Sequence, residues 1–169
     1  MNPTFEIRLE GPEDTAAIHE VVAAAFGRAD EARLVDKLRA GGFAPVSAVA
    51  VAGGKIVGHV LFSELRIEGR QSQGSALALA PLAVLPEFQN LGIGSALVRF
   101  GLEECRRAGQ RLVFVLGHPG YYPRFGFSVE RARAFECDYA GDHFMALELA
   151  PGALDGAGGR IVYPTPFTN

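Results

Sequence analysis

The sequence predicts a mixed α/β (α+β) fold, in which an antiparallel strand series leads into a parallel strand–helix–strand unit. Three observations predict it. Two segments with apolar residues at helical spacing come first, within 12–26 and 30–40. Next, VSAVAVA at 46–52 and KIVGHVLFSEL at 55–65 flank Gly53-Gly54, a hairpin signature. Finally, the apolar runs ALALAPLAVL at 76–85 and RLVFVLG at 111–117 enclose an amphipathic helix, an order that normally joins two parallel strands by a crossover.

Taken in order, FEIRLE at 5–10 alternates apolar and charged residues, as a half-buried strand does. Pro12, Glu13 and Asp14 suit the first turn of a helix, which continues inward through Ile18, Val21, Val22, Ala25 and Phe26. A second helix spans 30–40 with Leu34, Val35 and Leu38 on one side, stopped by Gly41-Gly42. After the hairpin, the polar EGRQSQG at 68–74 turns the chain into a third strand. Pro81 lies inside that strand and cannot donate to a ladder, which predicts a bulge or a locally unpaired edge there. The following helix directs Ile93, Ala96, Leu97, Phe100 and Cys105 inward and ends at Gly109. RLVFVLG is apolar throughout, as a strand covered on both faces is. HPGYYPRFGFSVE at 118–130 is turn-rich, HFMALEL at 143–149 reads as a strand, and in the Gly/Pro-rich tail only RIVY at 160–163 is suited to pairing.

At 169 residues the chain is long enough for one domain with a real core. Sixteen Lys+Arg against 19 Asp+Glu give a mildly acidic balance, which argues against a nucleic-acid or anionic-membrane binder. Cys105 and Cys137 show no metal-ligand spacing and fit reduced thiols, Cys105 as a small core residue. No signal-type segment opens the chain, and no apolar run reaches the ~20 residues that span a bilayer. A cytoplasmic protein without metal is expected.

The most informative stretch is QNLGIGSA at 89–96, between the third strand and the helix. Gly92 and Gly94 let backbone approach a ligand closely, and the first amides of the helix point to it from the positive end of the dipole. Strand, glycine turn and helix N-terminus together suit phosphate groups. The dinucleotide fingerprint is excluded because position 97 is Leu, and the P-loop pattern is absent.

VLPEFQNLGIGSALV at 84–98 resembles the acyl-CoA motif Q/R-x-x-G-x-G/A of the GNAT-type N-acetyltransferase superfamily, with Gln89, Asn90, Leu91, Gly92, Ile93 and Gly94 in register. YPRFGF at 122–127 resembles that family's Y-x-x-x-G-F, and LGHPGYYPRFGF is similar to the subfamily of predicted acetyltransferases around the bacterial YhbS proteins. The resemblance runs from Phe5 to about Leu149 and implies a mostly antiparallel sheet of about six or seven strands. Within it a central parallel pair splays, and about four helices flank the sheet. The whole chain, 1–169, is then a single acyl-CoA-binding acetyltransferase domain.

The resemblance further implies that backbone amides from Gln89 to Ser95 cradle the pyrophosphate of acetyl-CoA. Leu82, Ala83 and Val84 would line the pantetheine arm, the backbones of Leu82 and Val84 pairing with it as an added strand does. An amide near Leu82 would stabilise the oxyanion of acyl transfer. Tyr122 takes the tyrosine position, as contact to the cofactor and general acid for the coenzyme A sulfur, or as a packing residue. Adjacent Tyr121 is expected to point elsewhere. His118 and Glu64 are the candidate bases, with a water chain as the alternative, while His19 and His59 read as ordinary surface or strand positions.

Direct attack of a primary amine on acetyl-CoA in a ternary complex follows, the amine belonging to a small molecule or a peptide. In the fold it resembles, the first two helices wall the acceptor site; here they carry Phe26, Arg28, Asp30 and Glu31. Monomer and homodimer stay open. The alternative is a non-catalytic acyl-CoA-binding or regulatory module on the same fold.

Overall fold

A computed structural model of the chain describes residues 4–69 and 74–168. Its elements follow the order β1 (Glu6–Leu9), α1 (Thr15–Phe26), α2 (Asp30–Ala40), β2 (Val46–Ala52), β3 (Lys55–Glu68), β4 (Gly74–Val84) and α3 (Ile93–Arg107). The chain continues through β5 (Leu112–Leu116), α4 (Val129–Ala132), β6 (Phe135–Glu136), β7 (Phe144–Glu148) and β8 (Gly159–Val162). One open sheet of eight strands results, ordered β1-β2-β3-β4-β5-β7, with β8 pairing β3 and β6. β4 and β5 pair in parallel, Leu77–Leu79 against Val113–Val115, as does the short β6–β8 pair. The other registers given for the sheet are antiparallel.

The expected six or seven strands become eight because two-residue β6 is too short to show any alternation, and it recruits β8 from the tail. β4 keeps strand conformation through Pro81, and its register against β5 runs only over Leu77–Leu79, so the strand from Pro81 on lies beyond that pairing, in line with the expected locally unpaired edge. A bulge falls in the hairpin. There Ala50 faces Gly58 while Val51 faces Ile56, leaving Val57 as the extra residue. The turn expected over 68–74 includes residues 70–73, which lie outside the described residues.

The chain forms two compact units. The first comprises Met1–Phe62 and Pro81–Glu104. Its core gathers Ile18, Val21 and Val22 of α1, Ala32, Val35 and Leu38 of α2, the buried residues of β2 and of β3 as far as Phe62, and Ile93, Leu97, Val98 and Leu102 of α3. Close packing of α3 on β3 rests on two glycines. A Cβ on Gly58 would stand 3.0 Å from Leu97 and 3.3 Å from Ile93, and one on Gly101 would enter the Phe62 ring. Leu34 and Ala25 are only half-buried and Phe26 is exposed, so the inward face of the helical pair is narrower than the periodicity predicts. Phe100 and Ala96 are likewise half-buried, and Val98 and Leu102 take the inward places.

α1 begins at Thr15, so Pro12, Glu13 and Asp14 precede it rather than form its first turn. Asp14 makes no side-chain cap because Arg8 holds its carboxylate at 2.6 and 3.1 Å, and the Gly11 amide donates to it at 2.6 Å. The Arg8 bond keeps Asp14 below the usual carboxylate range.

The second unit comprises Ser63–Ala80 and Cys105–Asn169. Phe114 is its centre, with Phe135 edge-on at 4.8 Å and Phe144 stacked at 5.4 Å. Leu65, Ile67, Leu112, Ala146 and Ile161 close around them. The reading of β5 as covered holds for Leu112–Val115, but Leu116 at its end is 49% exposed, and the strand opens there onto a cavity. No helix among the described residues is long and apolar enough to cross a membrane.

Candidate functional site

In the first unit, β4 is tied off by Leu85, whose N–H donates to the Val57 carbonyl at 2.9 Å. A 3-10 turn, Pro86–Phe88, follows. The Gln89 amide side chain then folds back and donates to the Val84 carbonyl at 3.1 Å. Gln89 therefore shapes the connection, a role its place at the head of the motif did not reveal. Asn90 is the one non-glycine residue at positive φ (64°) among those described, and Gly92 stands at φ 87°. Asn is the residue most tolerant of that region after glycine. These two left-handed steps set the start of α3, and Ile93 anchors it in the core. The helical ladder begins where the Ala96 N–H donates to the Gly92 carbonyl at 3.1 Å, so Ile93, Gly94 and Ser95 form the amide-bearing first turn. A Cβ on Gly92 would meet nothing within 4 Å. Glycine is required there by backbone conformation, and the space above the turn is open.

Successive strand residues turn their backbone groups to opposite edges. Leu85 donates toward β3, and the Ala83 carbonyl lies 3.2 Å from the Cβ position of Gly58. Leu82 and Val84 consequently turn theirs to the other edge, the orientation an added strand requires. Their side chains are half-buried and that of Ala83 is buried.

In the second unit, Tyr122 opens a 3-10 turn, Tyr122–Phe125. The turn is fastened at its start by the His118 carbonyl, which accepts from Tyr121 at 3.0 Å and from Tyr122 at 3.2 Å. At its end Gly126, φ 102°, donates to the Pro123 carbonyl at 2.9 Å, and buried Phe127 packs edge-on against Tyr122 at 5.9 Å. That is the physical content of Y-x-x-x-G-F: a ring, a left-handed glycine and an anchor. The Tyr122 ring also lies where a Cβ on Gly117 would be, so only glycine fits before His118. Burial, with a smaller contribution from Tyr121, pushes the Tyr122 phenol up to about 12. Tyr121 stands edge-on to the Tyr122 ring at 5.0 Å and beneath the Arg124 guanidinium at 4.4 Å.

Of the candidate bases, Glu64 is an exposed residue of β3 and His118 an exposed residue of the turn after β5. His118 lies beside His143, ring centroids 6.2 Å apart, in an open cavity of about 500 Å³ that includes Leu116, Tyr139 and Asp142. His143 passed unnoticed in the sequence because a lone histidine ahead of an apolar strand carries no spacing signal. Asp30, Glu31 and Arg28 are engaged with one another's neighbours: Arg28 grips Glu31 at 2.7 and 3.0 Å, and Arg33 reaches Asp30.

The reading of His59 as an ordinary surface or strand position needs correction. It lies in β3 but is wholly buried, its Nε2 2.9 Å from Ser47 Oγ. Ser47 donates to Glu10 at 2.6 Å, and Arg39 clamps Glu10 at 2.8 and 2.9 Å. Burial lowers His59 to about 4, so it is neutral at neutral pH. Burial alone would raise Glu10, but the bonds from Arg39 and Ser47 outweigh it and hold the carboxyl below its usual range. Among the described residues, no group of three or more His, Cys, Asp or Glu is gathered as a metal site would be.

This order of elements is shared with known proteins. Residues 6–129 match the family described as acetyltransferase (GNAT) domain. The Escherichia coli protein named uncharacterized N-acetyltransferase YjhQ is 42% identical over 125 residues, covering 73% of this chain and 69% of its own. Escherichia coli YhbS, named in the same way, is 34% identical over 164 residues, 95% of this chain and 97% of its own. The crystal structure of Escherichia coli YhbS in complex with CoA superposes with a TM-score of 0.91 at 31% identity, covering 100% of this chain and 94% of that one. A GNAT family acetyltransferase from Brucella melitensis in complex with acetyl-CoA gives 0.81 at 36% identity, over 97% and 98% of the two chains. The chain belongs to the GNAT acetyltransferase family.

Proposed function

We propose that this chain is an N-acetyltransferase that moves the acetyl group of acetyl-CoA to a primary amine, acting as a single domain over its whole length. One observation carries the reading: the turn at 89–95 leaves open space above Gly92, at the N-terminus of a 15-residue helix. A diphosphate fits such a place, where amides and the helix dipole favour anions and no side chain intrudes. Relatives crystallised with CoA and acetyl-CoA support the choice of anion.

Bound acetyl-CoA supplies a thioester whose carbonyl carbon the amine attacks, the nitrogen–carbon bond forming as the carbon–sulfur bond breaks. Amides of the turn from Asn90 to Ser95 hold the diphosphate, the Gln89 N–H being donated to the Pro86 carbonyl at 3.3 Å. Leu82 and the Val84 N–H turn to the edge of β4 away from β3, the Val84 carbonyl being held by Gln89, and the Leu82 amide steadies the carbonyl oxygen. Tyr122 stays protonated across the neutral range, with its phenol near 12. Thiols ordinarily titrate near ~8.5, so the departing sulfur needs a donor rather than a strong acid, and Tyr122 supplies a hydrogen bond and a relayed proton. His118 and Glu64 are candidate acceptors of the amine's proton, with a water chain as the alternative.

A thermal-shift titration with acetyl-CoA, coenzyme A and NADH tests this. Both coenzyme A forms should stabilise the protein by ~2.7 kcal/mol at 100 times the dissociation constant, and NADH by none. Tyr122→Phe should lower turnover about 10- to 100-fold with coenzyme A affinity unchanged. Lost affinity at equal turnover would make Tyr122 a packing residue. Saturable binding without thiol release from any amine would leave a binding module.

A further inference from the structure

The cavity at the end of β5 lies wholly within the second unit, and one residue organises it. The Gly117 N–H donates to the His143 carbonyl at 2.8 Å, and the His143 ring returns a bond from Nδ1 to the Gly117 carbonyl at 3.1 Å. A carbonyl only accepts, so Nδ1 carries the hydrogen, and in the neutral ring Nε2 keeps its lone pair. Fixing one ring nitrogen on a backbone acceptor while the other is left basic is how an imidazole is prepared to take a proton. The face of Gly117 that would carry a Cβ is occupied by the Tyr122 ring. One glycine thus seats both the phenol and this imidazole. Among the described residues no hydrogen bond orients the His118 ring, which touches His143 edge to face.

The cavity also has the makings of an amine site. Leu116 is 49% exposed and Tyr139 41% exposed, two large apolar surfaces in one recess, with the Asp142 carboxylate beside them. About 500 Å³ lies within the range of small-molecule sites. A carboxylate attracts an ammonium, and the exposed leucine and tyrosine offer contact to an aryl or alkyl body.

We propose that His143 is the general base of this enzyme and that the cavity takes a small aryl- or alkyl-ammonium acceptor. The inference rests on the acetyl-transfer reading above. A primary ammonium in the cavity gives one proton to His143 Nε2, leaving a neutral amine and an imidazolium. The amine nitrogen bonds to the acyl carbon as the carbon–sulfur bond breaks. Its second proton ends on the sulfur, and the imidazolium releases its own to water. His118 stands edge to face with the His143 ring, and Tyr139 and Asp142 are the other ionisable side chains that line the cavity.

The test uses phenethylamine as acceptor and thiol release as signal. His143→Asn keeps a side-chain donor for the Gly117 carbonyl but has no basic lone pair. It should lower kcat/KM at least about 100-fold and erase the rising limb of the pH–rate profile, with acetyl-CoA still binding as in the wild type. His118→Ala should keep the limb. Nitrogen NMR of the unliganded protein should show the neutral His143 ring protonated at Nδ1. A wild-type profile in His143→Asn, or a ring protonated at Nε2, would overturn the base assignment. Wild-type protein that binds acetyl-CoA but never acetylates phenethylamine would overturn the acceptor class. Failure to bind acetyl-CoA at all would instead defeat the parent reading.

Discussion

Two glycine-bearing turns, at 89–95 and at 117–122, are held in opposite ways. At 89–95 the backbone sets the shape: Asn90 and Gly92 take left-handed steps, and open space lies where a Gly92 Cβ would point. At 117–122 packing sets it, because the Tyr122 ring fills the place of a Gly117 Cβ while both Gly117 backbone groups are bound to His143. One turn keeps room for a ligand; the other is already full of its own side chains. The buried and half-buried polar groups differ as well. The unit with the first turn encloses His59 and Glu10, which respond to acid, and the unit with the second has Tyr122 and Tyr163, which burial shifts upward. A motif glycine therefore signals either a ligand or a neighbour, and only its surroundings tell which.

Acid should separate the two units most strongly. His59 is about 4 when folded against an ordinary 6.5, so the unfolded chain binds the extra proton between those values. Its contribution is whole above pH 6.5 and is lost as pH falls toward 4, on the order of 3 kcal/mol. Glu10 is lowered, so its share is present above the usual carboxylate range and vanishes below it, in the same direction. Urea unfolding of wild type and His59→Phe between pH 7 and pH 4 checks this, and equal slopes would contradict it. Tyr122 has the opposite sign. Its phenol is raised from 10 to about 12, so its contribution is whole below pH 10 and lost as pH rises toward 12.

Gly117→Ala comes next. The added methyl must displace the Tyr122 ring, an overpacking cost of about 1–3 kcal/mol. Turnover should fall with it while coenzyme A affinity holds, measured by denaturation and thiol release. Gly92→Ala is the smallest in stability, about 1–2 kcal/mol of left-handed strain with no clash. Its binding effect should be larger, a loss of coenzyme A affinity with the fold intact. Unchanged affinity would mean that the turn is only a helix start, and the contrast between the two turns would collapse.

The sequence by itself determined the order of the longer elements, the strand–helix–strand unit of β4 and β5 and the glycine turn, while Tyr122 was marked by the resemblance of YPRFGF to a family motif. The elements and the turn are local matters: residue spacing fixes helix or strand, and left-handed backbone selects glycine or asparagine. Only the tertiary structure decided that His59 is buried, that Gln89 closes the loop onto Val84, that Gly58 and Gly101 admit α3 to the sheet, and that Val57 is an extra residue in the hairpin. Only it joined Gly117 to His143 across 26 positions of chain. Those features depend on what stands opposite a residue in space, and a spacing pattern along the chain holds no record of its partner.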